Sequence, residues 1–113
     1  MRVFARSKIH HATVTEANLN YIGSITIDSD LLEKANIWPG EKVLVVSLTS
    51  GSRLETYVIE GKSGSGEILM NGAAANLIKE GEKIIILGFE ISEKPVETSF
   101  ILVDEKNNFV KYL

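Results

Sequence analysis

The chain has 113 residues, 44% of them hydrophobic and 24% charged, with a formal net charge of −3 and no cysteine. That length makes one domain, able to bury about 65% of the surface its unfolded form exposes, and the composition is that of a packed globule rather than a disordered chain. The negative charge gives no electrostatic attraction to nucleic acid or an anionic membrane, and without cysteine there are no disulfides, thiolate nucleophiles or thiolate metal ligands.

Taken in chain order, short β-branched runs dominate. Met1–Val14 carries charges and histidines where a signal peptide needs an apolar core, and no apolar run approaches the ~20 residues that cross a bilayer, so a cytoplasmic location is expected. The predicted strands are Lys8–Thr15, Ser24–Ile27, Val43–Thr49, Glu55–Ile59, Ile68–Met70, Lys83–Ile91 and Thr98–Val103. Turn chemistry separates them at Pro39-Gly40, Ser50-Gly51, Gly61–Gly66 (read as a hairpin loop) and Lys106–Asn108. Ser29–Ala35 is predicted as a helix because capping residues and an acid open it. Ala73–Lys79 is predicted as a second, stopped by Gly81. Val43–Val46 and Ile84–Leu87 do not alternate and are expected to be covered on both faces. So many short strands in so small a chain point to a mainly β fold closed as a barrel, which leaves few exposed edges. Residues from about Ser92 onward are read as a structural tail.

One dipeptide carries unusual chemistry. A Gly-Ser bond is most often a plain turn, but in a strained turn the serine hydroxyl can attack the preceding carbonyl and convert the amide to an ester. Elimination and hydrolysis then leave a pyruvoyl group on a new chain start. Gly23 has no Cβ to obstruct that attack, and Ser24 opens a strand that can fix the nucleophile. Around it lie further groups. Lys8 and His10 share a strand face, and His11 should point the other way. Arg53 carries the planar fork that takes a carboxylate through two parallel hydrogen bonds. Asn71-Gly72 leads into Ala73-Ala74-Ala75, small residues whose backbone N–H groups a ligand can approach closely at a helix start.

Read together, Ser-Lys-Ile-His at 7–10, Tyr-x-Gly-Ser at 21–24, Gly-Ser-Arg-x-x-Thr-Tyr at 51–57 and Asn-Gly-Ala-Ala-Ala at 71–75 resemble the pyruvoyl-dependent L-aspartate α-decarboxylases. The resemblance runs from residue 7 to about residue 90, and it lies in the order and spacing of blocks that are individually weak. It implies a double-psi β-barrel with short helices, one self-processing domain over 1–113, assembled as a homotetramer. It implies cleavage between Gly23 and Ser24, with Thr56 polarising the Gly23 carbonyl and Tyr21 supporting the turn. The pyruvoyl group derived from Ser24 would form a Schiff base with L-aspartate and release β-alanine and CO2, supplying pantothenate synthesis. In that scheme Arg53 holds a substrate carboxylate, the side-chain one that survives the reaction. Lys8, His10, Asn71, Gly72 and the Ala73–Ala75 backbone surround the substrate, and Tyr57 returns a proton to Cα. No metal, nucleic acid or membrane partner is implied, and some relatives use a maturation activator. Thr56 and Tyr57 are consecutive and face opposite sides of a regular strand. They serve one chemistry only if the strand is distorted or if they act at two sites, as a site between subunits allows. Two other readings stay open: a non-catalytic β-barrel binding module, and a family member that remains unprocessed and inactive.

Overall fold

Strands account for most of the computed structural model, which describes residues 1–113. In chain order the elements are β1 (Arg2–Thr13), β2 (Glu16–Asn18), β3 (Ser24–Asp28), α1 (Ser29–Ala35), β4 (Lys42–Ser47), β5 (Arg53–Gly61), β6 (Ile68–Asn71), α2 (Ala74–Leu77), β7 (Lys83–Ser92), β8 (Ser99–Val103) and β9 (Phe109–Tyr112). They pair in the order β2-β6-β3-β5-β4-β7-β1-β8-β9. Since β2 continues from β1 through Val14 and Thr15, this ladder returns on itself. The Val14 N–H donates to the Glu82 carbonyl at 3.0 Å, and the Thr15 N–H donates to the Ile68 carbonyl at 2.8 Å. The closure makes a small barrel in which β5 joins two neighbours in turn: Arg53–Tyr57 pair with β4, whereas Val58–Gly61 pair with β3.

Alternation along the strands fills that barrel. Ile9, Ile25, Ile27, Val43, Val45, Ile68, Met70, Ile84 and Ile86 point inward with at most 1% of their surface exposed. Each such aliphatic side chain contributes about 1.5–3 kcal/mol on burial. They belong to one contiguous cluster of 20 residues, so no second core divides the chain. The alternating residues Leu44, Val46, Ile85 and Leu87 are only half-buried. The burial expected on both faces of β4 and β7 therefore exists on one face within a single chain.

α1 forms as predicted. The Asp28 carboxylate caps it by accepting from the Asp30 N–H at 2.9 Å, and Asn36 ends it in the left-handed region at φ 55. Asp28 also accepts from the Gly64 N–H at 3.0 Å and the Gly66 N–H at 2.8 Å. That capture corrects the hairpin reading of Gly61–Gly66. The strands flanking the loop both pair with β3, so the loop crosses over β3 instead of joining two neighbours. The second helix is shorter than expected, a single turn ending at Leu77, because Ile78 turns extended to bury its side chain completely.

The tail is part of the core. Ile101 and Val103 of β8 join the apolar cluster. Buried Asn107, at φ 62, clamps the tail to β1. Its Nδ2 donates to the Thr13 carbonyl at 2.9 Å and the Gly66 carbonyl at 2.7 Å, and its Oδ1 accepts from the Thr13 N–H at 2.7 Å.

Candidate active site

The turn after β2 delivers Gly23-Ser24 to the start of β3, where Ser24 stands opposite Asn71 in the antiparallel pairing with β6. Ser24 is fully buried. Its hydroxyl donates to the Ile22 carbonyl at 2.9 Å and accepts from Asn71 Nδ2 at 3.0 Å. Gly72 makes the tight approach possible. It sits at φ +67, and a Cβ there would stand 2.6 Å from the Gly23 Cα and 2.8 Å from the Gly23 nitrogen, which no side chain tolerates. On its other side Gly23 has open space, with no atom within 4 Å of where a Cβ would project. A cleft of about 280 Å³ opens there, lined by Gly23, Ser24, Thr56, Asn71, Ala73 and Ala74. A larger hollow of about 430 Å³ beside α1 and Trp38 contains none of these groups.

The other predicted residues lie elsewhere. Along β5, Leu54, Thr56 and Val58 turn inward, while Arg53, Glu55 and Tyr57 are exposed. The pairing of Lys42 with Tyr57 and of Val43 with Thr56 runs without a register shift, so the strand is not distorted at this point. Lys8 and His10 alternate with buried Ser7 and Ile9, which puts them on the outward face. Lys8 pairs with Leu87, Leu87 with Leu44, and Leu44 with Glu55, so one row of the outer sheet surface links Lys8 to the strand of Arg53 and Tyr57. None of Lys8, His10, Arg53 or Tyr57 lines the Ser24 cleft. One chain thus presents two separate groups of candidate residues: a buried serine cleft and an outward cationic and phenolic face.

Three expectations need correction. A bulge between Ile9 and Ala12, with His11 at φ 66, breaks the alternation of β1. His11 therefore does not point away from His10; the two rings stack with centroids 4.2 Å apart. Ala75 is buried, and its N–H donates to the Gly72 carbonyl at 3.0 Å, so it closes the turn and is not presented to the cleft. With only one turn in α2, the helix dipole adds little at Ala73 and Ala74. Finally, no side-chain hydrogen bond ties half-exposed Tyr21 to the turn; the Ser24–Ile22 bond and the Gly72 contact hold it instead.

His10 is the perturbed group of the outer face. Its Nδ1 is buried without a hydrogen-bond partner. Burial, then the neighbouring His11 and Lys8 charges, lower its pKa from 6.5. The folded state therefore favours neutral imidazole. Its contribution to stability is full above 6.5 and is lost as pH falls through the lower folded value. An NMR titration of the His10 ring should give a midpoint below 6.5; a midpoint above it would mean that a hidden anion, not burial, governs this ring.

Sequence reading missed Thr26, whose hydroxyl accepts from the second hydrogen of Asn71 Nδ2 at 3.0 Å. The signal was available, since Thr26 lies two residues after Ser24 on the same strand face. It also missed Leu54, Glu55 and Leu77, which complete the cleft wall.

The fold and cleft define a small β-barrel with a buried, hydrogen-bonded serine at one strand start. The family model described as aspartate decarboxylase matches residues 1–110. An aspartate 1-decarboxylase of Desulfitobacterium hafniense is 54% identical over 97% of this chain and 90% of its own. Counterparts from Acetivibrio thermocellus (53% identical, 93% of this chain and 86% of its own) and a Thermotoga species (50% identical, 98% and 97%) are similar over the same extent. The chain belongs to the aspartate decarboxylase family.

Proposed function

We infer that this chain converts L-aspartate to β-alanine and CO2 after cutting itself between Gly23 and Ser24. The carrying observation is the Ser24 environment: a buried hydroxyl with a fixed partner on each side, next to a glycine whose far face is open. Family membership supports the substrate. In processing, Ser24 Oγ forms a bond to the Gly23 carbonyl carbon, the C–N bond breaks, and the hydroxyl proton passes to the departing nitrogen. Loss of the Ser24 α-proton then expels the Gly23 carboxylate, and water releases ammonia to leave the carbonyl. Thr56 shares the cleft with Gly23 and is the hydroxyl that polarises its carbonyl.

The residues around Ser24 fit a pyruvoyl group. Asn71 Nδ2 lies against the Ser24 side chain, whose Cα and Cβ would become the ketone carbon and methyl of that group, and the 280 Å³ cleft leaves room for a small dicarboxylic amino acid. That group supplies an electron sink for the pair left on Cα when CO2 departs. Ala73 and Ala74 keep the approach narrow. Arg53 and Lys8 hold carboxylates, His10 shapes the outer face, and Tyr57 protonates Cα. Because these four point outward, the reading requires a neighbouring subunit's outer face to close over the serine cleft. Two features support a homotetramer: the half-buried apolar row of Leu44, Val46, Ile85 and Leu87, and the exposed Val3–Ile91 pair, 67% and 63% accessible. The parallel pairings of β3 with β5 and β2 with β6 support a double-psi arrangement. A cytoplasmic setting and a maturation activator belong to the same reading.

Incubation of purified protein with L-aspartate tests the reading directly: stoichiometric β-alanine and CO2 are expected, and a processed preparation releasing neither would defeat it. Arg53→Lys keeps the charge but loses the bidentate fork. kcat/KM for aspartate should drop by about tenfold or more, the equivalent of one charge-assisted hydrogen bond. Chain cleavage, which involves no substrate, should proceed as in wild type. A variant with wild-type kcat/KM would remove Arg53 from substrate recognition.

A further inference from the structure

We propose that Thr26 is a positioning residue for self-processing, acting through Asn71 to hold the Ser24 hydroxyl ready for attack. The inference rests on the processing reading above and adds a residue to it.

Ser24, Thr26 and Asn71 are 0%, 7% and 2% exposed, so bulk water does not satisfy their polar atoms. The Ser24 proton is committed to the Ile22 carbonyl at 2.9 Å. Its oxygen can then only accept from Asn71, which fixes the amide with Nδ2 toward the serine. One Nδ2 hydrogen goes to Ser24 Oγ and the other to Thr26 Oγ1, both at 3.0 Å. The two bonds pin the amide plane about its terminal torsion, which is otherwise broad and soft. Thr26 also lines a second cleft of about 300 Å³ with Glu16, Asn18 and Glu60, and its hydroxyl makes no hydrogen bond other than the one from Asn71. It is thereby free to act as an acceptor toward Asn71.

The consequence is chemical. As Oγ bonds to the Gly23 carbonyl carbon and its proton leaves, negative charge develops on the oxygen. A hydrogen bond to the charged form favours that form. An Asn71 amide held by Thr26 delivers this bond at the correct angle; an amide with one N–H buried and unpaired swings toward another partner. Thr26 touches neither substrate nor the reacting carbon, so it acts only through Asn71, and chain cleavage is the step that reads the Ser24 hydroxyl directly.

The test follows conversion of freshly purified intact chain to fragments by mass, for wild type, Thr26→Val, Thr26→Ser, Asn71→Ala and the Thr26→Val/Asn71→Ala double variant. Thr26→Val is expected to slow cleavage about 3- to 10-fold, the kinetic equivalent of one lost neutral hydrogen bond. Thr26→Ser restores the hydroxyl and should restore most of the rate. In the Asn71→Ala background Thr26→Val should add nothing, because the group it positions is gone. A merely structural role for Thr26 would slow cleavage by the same factor in both backgrounds, and that result overturns the proposal. Wild-type cleavage rates in Thr26→Val overturn it equally, as does failure of serine to rescue. These outcomes leave the processing reading standing. If the wild-type chain stays whole, processing itself fails, and the role of Thr26 falls with it.

Discussion

Ser24→Ala should leave a single 113-residue chain with no decarboxylase activity, whereas the wild-type chain should divide after Gly23 into fragments of 23 and 90 residues. The argument is one of atoms. Alanine lacks the oxygen that bonds to the Gly23 carbonyl, so neither the ester nor the carbonyl derived from it can form, and no other side chain occupies that position. The methyl group is smaller than the hydroxymethyl it replaces, and β3 keeps its apolar anchors Ile25 and Ile27, both fully buried. Folding should therefore survive, which a thermal melt can confirm. Without an electron sink the substrate retains its uncatalysed barrier, and an acceleration of about 10⁶-fold or more is forfeited. Intact mass, resistance of the 90-residue fragment to Edman sequencing and its reaction with a carbonyl reagent are the measurements. An active wild-type preparation consisting only of intact chain would exclude the mechanism.

Much of this architecture was legible because the cues were local. Val, Ile and Thr runs announced most strands, and Ser29-Asp30 announced α1 within its observed bounds. The failures came from distant partners. β2 is Glu-Ala-Asn, with no strand propensity of its own; it pairs only because β6 lies alongside. Gly61–Gly66 looked like a hairpin turn until Asp28, more than 30 residues away, was seen to accept two of its N–H groups. The apolar run from Ala73 resembled a longer helix because burial of Ile78 in the barrel cannot be read from spacing.

The site divides the same way. Gly23, Ser24, Asn71 and Gly72 were recognisable as motifs, and the structure brings them together. Period-two alternation already set Thr56 against Tyr57, and the regular pairing of β5 with β4 removes strand distortion as the explanation. On the proposed reading, a site shared between chains accounts for both residues. The His10–His11 bulge escaped notice because a single extra residue in a strand has no compositional signature.

Tyr57→Phe should still cleave yet turn over aspartate about 10²–10⁴ times more slowly per pyruvoyl group, the usual cost of losing a general acid. The phenol is 40% exposed, so removing its hydroxyl leaves no buried partner unsatisfied and the packing of β5 is kept. Thr56→Val has the opposite signature. Thr56 lines the Ser24 cleft, and loss of the oxyanion donor assigned to it should slow cleavage about 10²- to 10³-fold. The geometry also makes a sharper demand. Since Tyr57 faces away from the cleft of its own chain, the proposed reading has it serve the serine of a neighbour. Ser24→Ala and Tyr57→Phe chains, each inactive or nearly so alone, should then complement when co-expressed. Random assembly pairs an intact Ser24 with an intact Tyr57 at roughly a quarter of the shared sites, so activity should rise to about that fraction of wild type. If Tyr57 acted on the serine of its own chain, no assembly would contain a whole site and the mixture would stay inactive. Separately purified variants mixed without subunit exchange provide the baseline. Activity above that baseline is the result that a site split between two faces requires.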